Sequence, residues 1–350
     1  IPDRFSIENP GEILVNGENL LAIQIHNISN TSSDMTVIPF LSAVYNEETD
    51  EGIIPPSILD LESESLLHTD FKLSSSGESV FLRDDNGDLI DQISYENLPS
   101  NLSYGISSES TELFYFDQPT PGYVNDIQEF HGILENDLTF SHNGGLIDNS
   151  FSLEITSQTD SQIRYTTDFT EPDESSNLYT GPIYIPSPYS TTIRAKSFQE
   201  NYISRFSKTR NYSFNSYSEL PIIHLVSDEY NLFDDDYGIY AYGNDYDNNY
   251  PYFGANFWED WERPVHISYY ENNVLEFSAN AGIKIAGAYS RGWDQKSLSL
   301  FARSEYGVGE FEHSFFDNLD YDNFESLVLR NSGNDWMRTN MRDAAITSLM

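Results

Sequence analysis

The sequence predicts a mainly β protein, in which small β-sandwiches follow one another along the chain and lead into an α+β lobe. Short stretches that alternate apolar and polar residues recur along the 350 residues, and Gly, Pro, Asn and Asp separate them. The final residues, 340–350, instead place Met341, Ala345 and Leu349 four apart, as on one face of a helix. The chain has 350 residues, of which 38% are hydrophobic, and this is enough to form several hydrophobic cores.

The charge of the chain limits its partners and its setting. It has 57 acidic and 17 basic residues, for a formal net charge of −40. Phosphate backbones and anionic membrane surfaces would be repelled, so we expect no nucleic-acid partner. No stretch approaches 18 consecutive apolar residues, so we expect no membrane span. The absence of Cys excludes disulfides and thiolate metal sites. So acidic a surface suits a marine or salt-exposed exterior.

The first two segments predict part of one module and a linker. Residues 1–45 contain "GEILVNGENLLAIQIHNIS", an Asn-Gly turn followed by a half-buried strand. This passage resembles the last strands of a galactose-binding-like jelly roll. Residues 46–65 are acidic and contain a Pro-Pro pair, which predicts a linker.

The next segment, residues 66–126, predicts a hairpin around Asn86-Gly87, between two apolar runs. The stretch "DDNGD" lacks the spacing and the distant Glu of an EF-hand loop, which favours a tight turn over a cation site. With "YFDQPTPGYVN", the segment resembles the second half of a lamin-tail domain, which implies a partial immunoglobulin-like β-sandwich.

Residues 133–214 continue the all-β pattern, with strands predicted at 163–167, 183–185 and 191–198. This segment resembles the small β-sandwich at the C-terminus of chitobiase and hexosaminidase-type proteins, which implies an accessory module. Two carboxylates, Asp168 and Glu171, raise the alternative of a glycosidase, but Asp at a turn satisfies local backbone donors.

A glycan partner is a further alternative for these modules. Aromatic rings can stack on sugars, and Tyr165, Tyr179 and Tyr184 are available for this in residues 133–214. Core packing is the simpler interpretation of these three residues, because Tyr is common in short strands.

The last segment, residues 219–350, opens with the apolar run "LPIIHLV", which predicts a buried strand. Residues 230–261 then contain twelve aromatic residues, seven acidic residues and no Lys or Arg. Two interpretations stay open for its acidic cluster, namely a structural calcium site and a solvated loop over an aromatic cluster, and the second is favoured. The cluster comprises Asp234, Asp235, Asp236, Asp245 and Asp247.

Basic residues gather in the same segment. Eight of the 17 lie in the last 88 residues, where a uniform spread would place about four. The stretch "GIKIAGAYSRGWDQKSLSLFA" predicts a hairpin with an elaborate tip at residues 287–295. Gly287 and Gly292 would let the backbone approach a ligand closely. Arg291 would contact phosphate oxygens with its planar guanidinium, and Lys296 with the compact charge of its ammonium. The alternative is a long hairpin with exposed basic residues.

Residues 219–350 resemble the front part of the CotH (spore coat protein H) kinase-like family. The resemblance rests on "LPIIHLVSDEYNLFDDDYGIY", "NFWEDWERPVHISYYE", the Lys296 hairpin and "LVLRNSGNDWMRTNMRDAAITSLM". It implies an α+β kinase-like N-lobe, ATP with Mg or another divalent cation, and a protein substrate. It also implies a secreted or cell-surface bacterial protein, since such members carry lamin-tail and chitobiase-like modules in this order.

By this resemblance, Lys296 is the expected phosphate contact at the start of a strand, and Arg291 a second contact. Arg330 and Arg342 match the strand-turn-helix that follows. The family's metal-binding and acceptor-positioning Asp residues would lie beyond residue 350, so no catalytic residue is assigned in this piece and its metal is unknown. G-x-G-x-x-G and V-A-I-K are missing.

We therefore expect a piece of a longer protein that is inactive alone, and the sequence leaves open whether the parent is an enzyme. The alternative is a non-catalytic extracellular adhesion or structural protein made of several modules, with a cell-surface partner.

Overall fold

The computed structural model describes residues 73–134, 138–214, 220–316, 319–333, 335, 338–342 and 345. The predicted jelly-roll strands of residues 1–45 and the predicted linker of residues 46–65 lie outside this part of the chain, as does most of the predicted helix 340–350. The described residues form a mainly β protein, which confirms the mainly β fold class, whereas the kinase-like α+β lobe stays a prediction. Their strands group into three modules, which we call module one (73–134), module two (138–214) and module three (220–345).

Module one begins with two antiparallel hairpins. Their strands are β1 (Gly77–Arg83), β2 (Leu89–Glu96), β3 (Ser103–Ile106) and β4 (Leu113–Phe116). The predicted Asn86-Gly87 hairpin is confirmed, with Gly87 at φ +85°. In its turn the Asp84 carboxylate accepts hydrogen bonds from the backbone N–H groups of Asn86 and Asp88, at 3.0 and 2.8 Å. These bonds, above all the one from Asp88, lower the pKa of Asp84. The stretch "DDNGD" is therefore a turn.

Module two holds one five-stranded sheet and two short strand pairs around its own core. The core contains the fully buried Leu153, Ile185, Ile193 and Tyr212. In the five-stranded sheet, β15 pairs antiparallel with β13 and parallel with β7. The strands of this module are β6 (Thr139–Phe140), β7 (Gly145–Ile147), β8 (Phe151–Leu153), β9 (Ile155–Thr156), β10 (Gln162–Thr166), β11 (Asn177–Leu178), β12 (Ile183–Ile185), β13 (Thr191–Phe198), β14 (Tyr202–Ser204) and β15 (Lys208–Phe214).

The strand predictions for module two agree with the structure to within one residue at β10 and without a shift at β12 and β13. Asp168 lies in a turn, as predicted, where its carboxylate accepts a hydrogen bond from the Thr170 hydroxyl at 2.7 Å. Glu171 instead pairs with the buried Arg194 and accepts from the hydroxyl of Ser207 at 2.8 Å. Module one is joined to this module by β5 (Gly132–Leu134), which runs parallel to β14.

Module three is built on an antiparallel five-stranded sheet of order β16-β17-β18-β19-β22. Its strands are β16 (Ile222–Val226), β17 (Arg263–Glu271), β18 (Val274–Ala286), β19 (Ser297–Phe301), β20 (Phe311–Glu312), β21 (Asn323–Phe324) and β22 (Ser326–Leu329), and its helix is α1 (Glu229–Phe233). The prediction that "LPIIHLV" forms a buried strand is wrong in one respect. It forms β16, an edge strand that is only half-buried, because just one neighbour pairs with it.

Strand β17 is buried on both faces. Val265 and Ile267 lie in the apolar core of module three, whereas the alternate residues His266, Ser268 and Tyr270 point to the other face and are 5%, 0% and 2% exposed. Module two covers that second face. A Cβ added at Gly144 of module two would lie 2.6 Å from the Tyr270 hydroxyl oxygen. Modules two and three therefore pack through a buried polar surface.

Two glycines with the same φ of +85° predict the cost of disturbing this surface. At Gly87 a Cβ would meet nothing within 4 Å, whereas at Gly144 it would meet Tyr270 and the Asn211 carbonyl at 2.6 and 2.7 Å. Gly87→Ala should cost only the left-handed backbone strain, about 1 kcal/mol. Gly144→Ala should cost about 1–3 kcal/mol more, because packed backbone must shift. Urea unfolding measures both variants, and equal losses would contradict the packing of module two on Tyr270.

The buried His266 predicts a pH dependence of stability. Its Nδ1 and Nε2 lie 2.7 Å from Asn280 Oδ1 and 3.1 Å from Ser278 Oγ, which suits a neutral ring. Burial lowers the pKa of His266 from 6.5 to about 4, and the charges of Arg210 and Arg194 act in the same direction.

The unfolded chain therefore binds more protons than the folded one between pH 6.5 and 4. In this window the imidazole should remove about 1.4 kcal/mol of stability per pH unit as the pH falls. The difference in unfolding free energy between the parent protein and His266→Gln should shrink accordingly from pH 7 to pH 4. Parallel pH profiles of the two proteins would exclude a neutral buried His266.

Candidate functional site

The predicted hairpin with an elaborate tip is confirmed as β18 and β19, which pair from Gly282↔Phe301 to Ala286↔Ser297. Ile283, Ile285 and Leu300 point from the hairpin into the core of module three. The tip contains a 3₁₀ turn at Tyr289–Gly292. Because the two strands are anchored in the core, the tip is held at one end of the sheet.

A cleft of about 550 Å³ lies beside this tip. The turn at Gly287 and Ser290 forms one wall, and the segment that follows β22, with Arg330 and Asn331, forms another. Gly287 has a φ of +105°, and a Cβ there would lie 2.6 Å from Ser290 Oγ. A glycine is therefore required for this turn to lie against the Ser290 side chain.

Asn331 ties the two walls of the cleft together. It is 7% exposed, and its Nδ2 donates to the carbonyl of Gln295 at 2.6 Å. Its Oδ1 accepts from the Ser297 hydroxyl at 2.9 Å and from the Gly333 N–H at 3.0 Å. A buried amide with its hydrogen bonds satisfied in this way fixes the cleft before any ligand arrives.

Lys296 lies under the tip rather than in the cleft wall. Its ammonium donates to the carbonyls of Arg291 and Trp293 at 2.6 and 2.9 Å, and lies 3.8 Å from the centre of the Phe257 ring. Lys296 is 8% exposed, and this burial lowers its pKa to about 8, although the charge of Asp294 opposes the shift. In this arrangement Lys296 closes the end of the 3₁₀ turn.

Arg291 and Gly292 also face protein. Arg291 donates to the carbonyls of Gly287, Phe257 and Trp258 at 2.7, 3.3 and 3.2 Å. A Cβ added at Gly292 would lie 3.0 Å from the carbonyl oxygen of Pro251, so the small residue allows close packing. Of the six residues predicted from sequence, Gly287 and Arg330 line the cleft, and the four others do not.

The fourth of these, Arg342, belongs to a separate cluster. Its guanidinium lies 3.5 Å from the Asp335 carboxylate, which also accepts a hydrogen bond from the Arg342 backbone N–H at 3.1 Å. The hydroxyl of Thr339 donates to the same carboxylate and is the main cause of its lowered pKa. The predicted phosphate contacts of Lys296, Arg291 and Arg342 stay predictions.

The acidic loop at residues 230–261 caps an aromatic cluster. The ring of Tyr242 contacts those of Tyr252 and Phe257, with centroids 5.2 and 5.3 Å apart. The carboxylates of Asp234 and Asp247 accept hydrogen bonds from nearby backbone N–H groups. In the part of the chain that the structure describes, no group of three or more His, Cys, Asp or Glu residues is placed to hold a metal ion. These contacts favour the solvated loop.

Tyr289 and Ser290 are among the cleft residues that the sequence analysis did not predict. Both lie in "GAYSRG", between Gly287 and Gly292, which were predicted to bind the ligand. Their position between these two glycines could have indicated that they belong to the same site. Together with Gly287, Arg330 and Asn331 they give the cleft one cation, hydroxyl and amide groups and an aromatic ring. Such a set can bind a ligand that has both anionic and apolar parts.

Comparison with known proteins identifies one of the modules. Residues 142–209 match the family model of the chitobiase/beta-hexosaminidase C-terminal domain, which confirms the resemblance stated for module two. A search of curated proteins and a search of solved structures found no match. The resemblances to lamin-tail domains and to CotH kinase-like proteins receive no support from these comparisons and stay predictions.

Among the described residues, no helix is both long enough and apolar enough to cross a membrane.

The position of Lys296 predicts an unusual titration. In protein labelled with ¹⁵N-lysine, the Nζ resonance that Lys296→Met removes should titrate near pH 8, because burial disfavours the ammonium form. Nitrogen-detected NMR across pH 6 to 11 follows this resonance. A midpoint at the ordinary value of 10.5 would mean that the amine is solvated and not held under the tip.

Proposed function

We propose that this chain is part of a secreted or cell-surface protein in which accessory β-sandwich modules carry a CotH-like lobe that binds ATP. The match of residues 142–209 to a domain of carbohydrate-active enzymes supports the accessory part of this proposal. One observation carries the nucleotide part. The Gly287 turn faces Arg330 across a cleft of about 550 Å³ at the end of an antiparallel five-stranded sheet.

The groups in the cleft fit the two halves of a nucleotide. The planar guanidinium of Arg330 and the hydroxyl of Ser290 could donate hydrogen bonds to phosphate oxygens. The Gly287 turn would allow the phosphate to approach the backbone closely. Tyr289 and Trp293 supply aromatic surface for a base. A local cation matters more here than on an ordinary protein, because a net charge of −40 repels a polyanion at long range.

The cleft does not fit the divalent cation equally well. None of the described residues that line it is an Asp or a Glu, and carboxylates are the side chains that most often bind Mg²⁺ in proteins. The cation would therefore arrive with the nucleotide or be held by residues outside the described part. We derive no phosphoryl-transfer step from these residues. Their role in this proposal is to bind and orient ATP, and we expect the chain alone to be inactive.

A second candidate function is adhesion or structural support without a nucleotide. It is favoured by one observation, namely that Arg291 and Lys296 use their donors on backbone carbonyls and so rigidify the tip without a ligand. The partner would then be a protein or a glycan at the cell surface. Of the three tyrosines considered for glycans, Tyr184 is 65% exposed, whereas Tyr165 and Tyr179 pack against the module-two core.

Titration calorimetry with ATP and Mg²⁺ separates these candidates. Arg330→Gln should weaken ATP binding about tenfold, since one charge-assisted contact is lost. Arg83→Gln, the same change on the exposed first hairpin, should leave the affinity unchanged.

The Lys296 resonance adds an independent readout to the calorimetry. A rise in the pKa of Lys296 when ATP is added would indicate that the ammonium turns from the carbonyls to phosphate. If the parent protein shows no binding heat, the nucleotide proposal is wrong and the adhesion candidate remains.

A further inference from the structure

A second concave site lies where modules two and three meet. This notch has a volume of about 310 Å³. Thr191, Thr192 and Asn211 of module two line one side, and His224 and Leu225 of β16 line the other. The notch is separate from the cleft beside Gly287 and lies at the lower end of the size range of ligand sites.

An aromatic ring stands at the notch on a strained backbone. Phe169 lines the notch with 47% of its surface exposed, and its φ is +72°, a region that bulky residues rarely occupy. The buried Arg194, which pairs with Glu171, donates to the Phe169 carbonyl at 2.7 Å. Such strain persists only where the surroundings enforce it, and it tends to occur at functional sites. A large apolar ring held in this way in solvent is unexplained by packing alone.

A buried donor without a partner lies in the same wall. Asn211 is 5% exposed, and its Oδ1 accepts from the Thr192 hydroxyl at 2.6 Å. Its Nδ2 has no hydrogen-bond partner among the described residues. This Nδ2 is itself fully buried, so it would reach an acceptor in the notch only if the Asn211 side chain turned, and the gain of the missing hydrogen bond would favour that turn.

The lining of the notch carries no formal charge. Among the described residues that line it, none is Asp, Glu, Lys or Arg, on a protein whose net charge is −40. Burial lowers the pKa of His224, which keeps its ring neutral at pH 7. An uncharged wall of hydroxyl, amide and imidazole groups beside one aromatic face suits a ligand that is neutral, rich in hydroxyl groups and apolar on one side.

We propose that this notch binds a neutral saccharide unit. A pyranose ring would place its apolar face against Phe169, and a hydroxyl or N-acetyl oxygen would accept from Asn211 Nδ2 once that side chain turned toward the notch. The side chains of Thr191 and Thr192 would contact the remaining hydroxyls. This site is independent of the nucleotide proposal, because it shares no residue with the cleft.

Saturation-transfer NMR on the full chain tests the site, with N-acetylglucosamine and glucose as neutral probes. Phe169→Gly is the sharpest variant, because glycine relieves the backbone strain while it removes the ring. It should weaken binding about tenfold and leave the thermal midpoint unchanged or higher. Phe169→Tyr keeps the ring and should keep the signal. Tyr184→Ala is the matched control, since Tyr184 is another exposed aromatic residue of module two, and it should also keep the signal.

Charged sugars give the second arm of the test. Glucuronate and glucosamine should show weaker transfer than glucose, because the notch offers no opposite charge. Three results with the neutral sugars would overturn the proposal. They are no transfer from either neutral sugar, equal transfer in the parent protein and Phe169→Gly, or loss of transfer in Tyr184→Ala. Strong transfer from glucosamine alone would mean that the net charge attracts the amine, and it would also overturn the proposal.

Discussion

The two-sided burial of β17 is the constraint on which the rest of the structure depends. One face of the strand lies in an apolar core, and the other carries His266, Ser268 and Tyr270, which are nearly inaccessible to water. Polar groups cannot be left against an apolar surface without cost, so this face requires a polar partner. The hydrogen-bond partners of His266, which are Asn280 and Ser278, lie on the neighbouring β18, and module two covers the face with the strand that carries Arg210 and Asn211. Modules two and three therefore behave as one packed body, and the notch lies at their junction.

The polarity of this junction is itself informative. Nε of Arg210 and Nδ2 of Asn211 are buried and lack partners among the described residues, although the Arg210 guanidinium donates to the Thr209 carbonyl at 2.7 Å. Such unpaired buried donors cost stability, so they do not by themselves fix how the two modules meet. The left-handed Gly144, which lies against Tyr270, adds a steric condition. Module two, whose residues 142–209 match the chitobiase/beta-hexosaminidase C-terminal domain, thus covers one face of the neighbouring sheet.

Local signals in the sequence predicted two of the hairpins, β1-β2 and β18-β19, and long-range contacts decided the features that the sequence could not predict. The Asn86-Gly87 turn and the alternation around Ile283 and Leu300 need only neighbouring residues to be recognised. By contrast, Lys296 points inward because Phe257, far away in sequence, places its ring beneath the tip. The alternation of polar and apolar residues in "RPVHISYY" is typical of a strand with one solvent-exposed face. The polar face is buried here because another module packs on it. The backbone of Phe169 is likewise held by a hydrogen bond from Arg194, which is remote in sequence.

The cleft beside Gly287 and the notch differ more clearly in charge than in shape. The cleft beside Gly287 contains Arg330, whereas the lining of the notch has no charged residue among those described. At a net charge of −40, an anion that approaches the cleft meets a repulsion that is screened within about 10 Å at 0.1 M salt. A neutral ligand meets none. A salt-exposed setting would therefore favour nucleotide binding through screening while it leaves saccharide binding at the notch unaffected. Salt would therefore act on the cleft through both the acidic surface and Arg330, the cation among the described residues that line it.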